Sequence, residues 1–201
     1  EFSIHTSAVR GIEWASLAVI LSYACSSVSR NSGRVTNELC ITAVNTGRSQ
    51  SLRTERNNET APIEMLKVSH LKQYFILTFK CDLIEIWDLK RLTILRVISK
   101  FSSLITAVEW SSLYNKSKKN ADGKSMPIKE NFVIINSESE LYHFSVLGNN
   151  VKEISSTPDL NNNSITSIAW KSDQLVLGDA EGNISIWYLK AKIYKSISTD
   201  R

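Results

Sequence analysis

Four segments of the chain repeat one short phrase. Val9–Trp14 reads VRGIEW, Ile105–Trp110 reads ITAVEW and Ile165–Trp170 reads ITSIAW, while Ile63–Val68 (IEMLKV) is a weaker copy that ends in valine. Each copy has aliphatic residues at its first and fourth positions and ends in a large apolar residue. This alternation is typical of a short strand that buries one face fully and the other in part. The repetition therefore predicts four copies of one strand-based unit.

A second phrase follows the first in each copy. Leu83–Lys90 (LIEIWDLK) and Asn183–Lys190 (NISIWYLK) agree at five of eight positions, and Asn37–Val44 and Glu140–Val146 alternate in the same way. Apolar runs rich in strand-forming residues lie between the two phrases and again after the second. Each copy is therefore predicted to form four short antiparallel strands.

The copies are predicted to span about residues 7–53, 62–99, 104–156 and 164–198. Four-stranded units that repeat about every 40 residues or more are typical of a β-propeller. The predicted fold class is therefore all-β, a partial β-propeller of about four blades. Within the third copy, residues 114–131 are rich in lysine and predicted to form a mobile loop, either a solvated excursion or a site for an acidic partner or a membrane surface.

The composition of the chain excludes several classes of protein. Its 201 residues are 42% hydrophobic, which is ordinary for a globular protein. Its net charge of +4 is low for a protein that binds nucleic acid directly, so no direct binding to nucleic acid is expected. Its three cysteines form no C-x-x-C pair, so neither a disulfide framework nor a zinc site is expected. The longest apolar stretch, Trp14–Cys25, is too short to span a membrane, and no secretory signal is evident. Since the chain opens at Glu1 rather than methionine, we expect a piece of a longer protein.

Sequence patterns of catalysis are absent. The chain has no G-x-S-x-G nucleophile elbow, no phosphate-binding glycine-rich loop and no H-E-x-x-H pair, and its three histidines are scattered. We therefore predict no catalytic, cofactor-binding or metal-binding residues, no cofactor and no enzymatic activity. The five tryptophans occupy the buried phase of the repeats and are predicted to pack within and between the blades: Trp14, Trp87, Trp110, Trp170 and Trp187.

The phrases Ile86–Lys90 (IWDLK) and Leu177–Trp187 (LGDAEGNISIW) resemble WD40 repeats, although only Trp87-Asp88 is a true WD pair and no Gly-His pair opens a blade. The resemblance implies two further structural residues. His70 would form a hydrogen bond inside its blade, and Asp179 would tie the turn that follows it. Additional phrases, including Pro62–Met65 and Val68–Tyr74, resemble the second propeller of large intracellular WD-repeat scaffolds that contain paired propellers.

That resemblance implies a non-catalytic scaffold whose partners are other proteins and the missing blades of its own chain. Such scaffolds act in a trimeric vesicle-tethering complex at the trans-Golgi network, where they help golgins capture endosome-derived vesicles. They are also linked to ciliogenesis, to Hedgehog signalling and to transcription factors. The implied locations are the cytoplasm, trans-Golgi network and vesicles, with the ciliary base and nucleus as further sites. Because the lysine-rich loop is shorter than the charged insertion of such proteins, no partner contact is carried over to it.

Two other functions remain open at this stage. A WD40 substrate receptor of a ubiquitin ligase often carries W-D-x-R at the end of a third strand, but this chain has Lys90 where that arginine belongs, and Arg91 comes one position late. An enzyme built on a propeller is the third alternative, and it would need several polar residues to converge on one site.

Overall fold

The computed structural model describes residues 3–27, 35–53, 61–112, 128–157, 160, 165–191 and 193–197. The chain divides into two compact units, residues 1–100 and 101–201. Each unit contains two four-stranded sheets whose strands are antiparallel and adjacent in chain order. The prediction of an all-β chain with four-stranded repeats is confirmed. In these described ranges no helix is long and apolar enough to cross a membrane.

The first sheet contains β1 (Val9–Ser16), β2 (Val19–Ser27), β3 (Val35–Ala43) and β4 (Ser49–Ser51). Its outer strand β4 has only three residues, and the hairpin before it is closed by the backbone N–H of Ala43, which donates to the carbonyl of Arg48. β2 and β3 pair along nine positions, from Val19 opposite Ala43 to Ser27 opposite Val35. This long pairing fixes which residues of the sheet share a face.

The second sheet contains β5 (Ile63–Val68), β6 (Tyr74–Phe79), β7 (Ile84–Asp88) and β8 (Thr93–Ile98). Every residue of β6 is buried, which explains its nearly continuous apolar sequence, YFILTF.

A shared apolar core joins the two sheets of the first unit. In the second sheet, the rings of Phe75 and Trp87 stack with their centroids 5.3 Å apart, and Leu77 lies beside them in the core. From the first sheet, Leu21 and Leu39 enter the same core with no exposed surface. Burial of these side chains is the main stabilising contribution to the unit.

The third sheet contains β9 (Ile105–Trp110), β10 (Glu130–Asn136), β11 (Leu141–Leu147) and β12 (Asn150–Thr157). β10 begins two residues earlier than predicted, since Glu130 and Asn131 continue the pairing with Val146 and Ser145. The prediction of a loop over 114–131 is therefore wrong at its last two residues. The rest of that loop through residue 127 lies outside the described residues.

The fourth sheet contains β13 (Ile165–Lys171), β14 (Gln174–Asp179), β15 (Ile184–Tyr188) and β16 (Ile193–Ile197). Its Leu175 and Leu177 share a core with Val133 and Ile135 of the third sheet. The first strand of each unit's second sheet lies against the preceding sheet, as β5 does against β1 and β13 against β9.

Gly11 makes room for a side chain that links the two sheets of the first unit. The Tyr23 hydroxyl donates a hydrogen bond of 2.6 Å to the carbonyl of Glu64 on β5. A Cβ at Gly11 would lie 2.4 Å from Cε1 of the Tyr23 ring. Only a residue without a side chain allows the ring to lie flat across β1 at this point.

We expect Gly11→Ala to destabilise the chain by about 1–3 kcal/mol, because the new methyl group displaces a buried ring from its hydrogen bond. Gly178→Ala is the matched control, since a Cβ on that strand glycine meets its nearest atom at 3.6 Å. Chemical denaturation measures both. Equal losses in the two variants would contradict the role assigned to Gly11.

Candidate interaction surface

A serine, a histidine and a glutamate form a hydrogen-bonded row in the first unit. Ser22 Oγ lies 2.7 Å from His5 Nε2, and His5 Nδ1 lies 3.0 Å from Glu38 Oε2. The same order of groups activates the nucleophile in serine hydrolases, so the row is a candidate active site by geometry.

Burial excludes that role. Ser22 is 3% exposed and the side chain of His5 is 3% exposed, so a substrate cannot reach the hydroxyl. The backbone N–H and the hydroxyl of Thr6 also donate to Glu38. Burial alone would raise the pKa of Glu38, but the hydrogen bonds from Thr6 and His5 outweigh it and lower that pKa. The row therefore clamps the segment before β1 onto the first sheet.

Sequence reasoning missed this clamp because its members are far apart in the chain. Ser22 pairs with Cys40 and Ala24 pairs with Glu38, and this register alone places Ser22 and Glu38 on one face. The signal in the sequence that could have revealed the clamp is His5, which lies four residues before the first repeated phrase. No group of three or more potential metal-ligating residues occurs in the described part of the chain.

Four of the five tryptophans lie in or against the cores of the units. Trp87, Trp110 and Trp170 are 5%, 2% and 8% exposed, whereas Trp187 is half-buried and packs against the core of the second unit. Trp110 contacts the ring of Phe132, with the centroids 5.1 Å apart.

Trp14 is the exception, and the prediction that it is buried is wrong: 53% of its surface is exposed. In the second unit, the equivalent Trp170 packs edge-on against His143 of the preceding sheet, with 5.5 Å between ring centroids. Within the first unit, no described sheet precedes β1. The repeat pattern gave the direction of the side chain but not whether a neighbouring sheet covers it.

His70 is exposed at the corner after β5, and its predicted hydrogen bond inside the blade stays a prediction. The neighbouring Ser69 has no exposed surface, and its hydroxyl accepts hydrogen bonds from the backbone N–H groups of Gln73 and Tyr74. A buried hydroxyl therefore holds this corner.

Asp179 lies at the end of β14 and binds the turn after it. Its Oδ1 accepts hydrogen bonds from the backbone N–H groups of Glu181 (3.0 Å) and Asn183 (2.8 Å), while Oδ2 accepts one from Asn183 Nδ2. These contacts satisfy the turn from β14 to β15, where Gly182 adopts a φ of 86°.

His143 is a titratable group that is buried where the third and fourth sheets meet. Its Nε2 is buried and has no hydrogen-bond partner among the described residues. Burial, with a smaller contribution from the charge of Lys129, lowers the pKa of His143 to about 4 from 6.5. The imidazole is therefore neutral at neutral pH and packs against Trp170 as an apolar ring.

This shift predicts a pH-dependent stability. Between pH 6.5 and about 4 the unfolded chain binds a proton at His143 that the folded chain excludes, so stability falls as the pH falls through this window. His143→Phe keeps a ring against Trp170 and should reduce that fall. Thermal unfolding at both ends of the window measures the difference between the two proteins. Parallel pH profiles would contradict this assignment.

An exposed pocket lies at the end of the first unit, where the β1–β2 turn meets the β5–β6 turn. Its volume is about 550 Å³, and it is lined by Trp14, Ser16, Leu17 and Lys72. Leu17 is fully exposed at the tip of its turn. Lys72 adopts a left-handed φ of 56°, and its Nζ donates a hydrogen bond of 2.7 Å to the carbonyl of Trp14.

A second exposed apolar area lies on the fourth sheet. Val176 and Ile184 are 38% and 47% exposed, and Ile193 and Ile197 of β16 are 54% and 43% exposed. The pairing places Ile184 opposite Ile197, so these side chains lie side by side. Exposed apolar groups that cluster in this way are typical of surfaces that bind other protein surfaces.

Comparison with solved structures identifies the fold. The chain superposes on the crystal structure of RRP9 WD40 repeats with a TM-score of 0.69 and 10% identity, over 98% of this chain and 52% of that one. It also superposes on the computationally designed Ika4 protein with a TM-score of 0.62 and 16% identity, over 94% of this chain and 96% of that one. The fold is therefore a WD40-type β-propeller fold, with four blades of four antiparallel strands described here.

Comparison of sequences identifies the family. WD repeat-containing protein 11 of Mus musculus and that of Homo sapiens are each 38% identical to the chain over its whole length. The chain spans about one fifth of the length of these relatives. The family model for the second β-propeller of WDR11 matches residues 1–131. The chain thus belongs to the WDR11 second β-propeller family.

Proposed function

We propose that the chain is a non-catalytic WD-repeat scaffold that binds other proteins. This proposal rests on which groups of the chain are buried and which are exposed. The candidate triad around His5 is buried and engaged in a clamp, whereas Leu17 and the apolar residues of the fourth sheet are exposed. Rigid sheets that present fixed turns and faces suit protein recognition, because little order is lost on binding.

The family supports a more specific proposal. We propose that the parent protein is a subunit of a complex at the trans-Golgi network that aids golgin-mediated capture of endosome-derived vesicles. Roles in ciliogenesis and Hedgehog signalling, and transcription factors as partners, belong to the same proposal. Its locations are then the cytoplasm, the trans-Golgi network and vesicles, with the ciliary base and nucleus as further sites.

The exposed face of the fourth sheet favours one further partner, a neighbouring blade of the same longer protein. Within each unit, the equivalent face of the earlier sheet lies against the later sheet, as that of the third sheet does where His143 meets Trp170. Ile184 and Ile197 would be covered in the same way.

Affinity purification of the full-length parent protein with mass spectrometry tests the proposed function. Recovery of vesicle-tethering subunits supports it, and recovery of ligase adaptors instead would favour a ubiquitin-ligase receptor. A Trp110→Ala variant serves as the control, because a partner that binds the folded propeller should be lost when its core is disrupted.

A further inference from the structure

Two polar atoms of the third sheet are buried without a hydrogen-bond partner. They are Asn131 Oδ1 and His143 Nε2, and neither finds a donor or acceptor within the described part of the chain. A buried polar atom that loses its bonds to solvent and gains none in return is costly, so folded proteins leave few of them. Both atoms therefore need a partner that the described side chains do not provide.

The strand register places these two side chains beside each other. In the pairing of β10 with β11, Asn131 lies opposite Ser145, and Val133 lies opposite His143. Asn131 and His143 are thus diagonal neighbours on one face of the sheet, a separation that long side chains can span. This face is turned towards the fourth sheet, because Val133 belongs to the core that the two sheets share and His143 contacts Trp170.

The surroundings of the two atoms are closed and partly polar. The ring of Trp170 is 8% exposed and meets the imidazole edge-on, so it covers His143 from the side of the fourth sheet. Ser145, also 8% exposed, adds a hydroxyl to the same face opposite Asn131. A ligand at this place would be separated from bulk solvent and would meet polar groups.

The chemistry of the two atoms selects the kind of ligand. Asn131 Oδ1 can only accept a hydrogen bond, so it would repel an anion. The charge of Lys129 acts on the imidazole, since it contributes to the lowered pKa of His143, and it would repel a cation. The neutral imidazole offers either a donor or an acceptor at Nε2, depending on its tautomer. The ligand must therefore be small and neutral, and it must be able to both donate and accept, as water is.

We propose that one ordered water molecule binds between Asn131 and His143. It donates one hydrogen bond to Asn131 Oδ1 and forms a second with His143 Nε2. The hydroxyl of Ser145 is the third group on this face that can bond to it, and buried waters typically make about three hydrogen bonds. The water is then a fixed part of the packing between the third and fourth sheets, independent of the proposed scaffold function.

A crystal structure of the chain at a resolution that shows ordered water tests the site directly. We expect one density peak that lies about 2.7–3.2 Å from both Asn131 Oδ1 and His143 Nε2. No peak between the two atoms, or a direct hydrogen bond between the two side chains, would overturn the proposal.

A double-mutant cycle at neutral pH provides a second measurement that needs no crystal. Asn131→Leu and His143→Phe each remove one polar atom with little change in size. Each single variant should raise the equilibrium constant of unfolding about fivefold or more, because the water and the remaining polar atom lose a partner. The double variant leaves neither atom unpaired, so its effect should be at least about fivefold smaller than the product of the two single effects.

Asn183→Leu is the matched control for this cycle. The Asn183 side chain bonds to Asp179 and has no part in the contacts of His143. The effects of Asn183→Leu and His143→Phe on the unfolding constant should therefore multiply. If the effects of Asn131→Leu and His143→Phe also simply multiply, no shared water joins the two residues and the proposal is wrong.

Discussion

Replacing Glu85 by glutamine should destabilise the first unit by about 3–5 kcal/mol, because it removes the negative charge from a buried ion pair. Glu85 is 1% exposed, and its Oε2 accepts hydrogen bonds from Arg53 Nη1 at 2.5 Å and from Trp87 Nε1 at 2.9 Å. Arg53 follows the first sheet, whereas Glu85 lies on β7 of the second, so the pair ties the two sheets together. The guanidinium also lies over the ring of Phe79, 5.1 Å from its centroid.

The control for this prediction is the exposed pair of Arg91 and Asp88. Arg91 Nη1 lies 3.7 Å from Asp88 Oδ2, and the arginine side chain is 62% exposed. Arg91→Gln should change the stability by no more than about 1 kcal/mol, because solvent screens such pairs. Denaturant titration of both variants gives the comparison. A loss in Glu85→Gln as small as that in Arg91→Gln would show that the buried pair does not hold the sheets together.

Truncation of Trp110 to alanine should cost about 3–5 kcal/mol, since the variant loses the transfer free energy of a large ring and leaves a cavity. The ring is 2% exposed and packs on Phe132, so the surrounding strands cannot close the space. Trp14→Ala is the matched comparison. The two residues end the same repeated phrase, yet Trp14 is 53% exposed, so its loss should be several times smaller.

Thermal unfolding monitored by circular dichroism compares these two variants. A similar decrease of Tm in both would mean that Trp14 is covered in solution. A Trp110→Ala protein as stable as the parent would mean that β9 does not pack as described.

The sequence predicted the number and type of strands because apolar residues that recur at every second position are a strong signal of a strand. The four copies of the first phrase became β1, β5, β9 and β13, and each begins a four-stranded sheet. Local patterns of this kind indicate on which face of its own strand a side chain lies.

Properties that depend on a neighbouring sheet or a distant segment could not be predicted from the sequence in the same way. Trp14 and Trp170 occupy the same position of the same phrase, yet Trp170 packs against His143 and the core that the third and fourth sheets share, whereas Trp14 is 53% exposed. Likewise, the clamp around His5 depends on strand register over more than thirty residues. Sequence patterns that reach only a few residues along the chain cannot detect such a partner.

The left-handed backbone at Lys72 has a consequence for substitution at this position. A residue with a side chain costs about 1–2 kcal/mol in this conformation, and glycine avoids most of that cost. A change to glycine would therefore relax the turn and at the same time remove the charge at the pocket. The same change would also remove the hydrogen bond that Lys72 Nζ donates to the carbonyl of Trp14, so part of the stability gained in the backbone would be lost at the side chain.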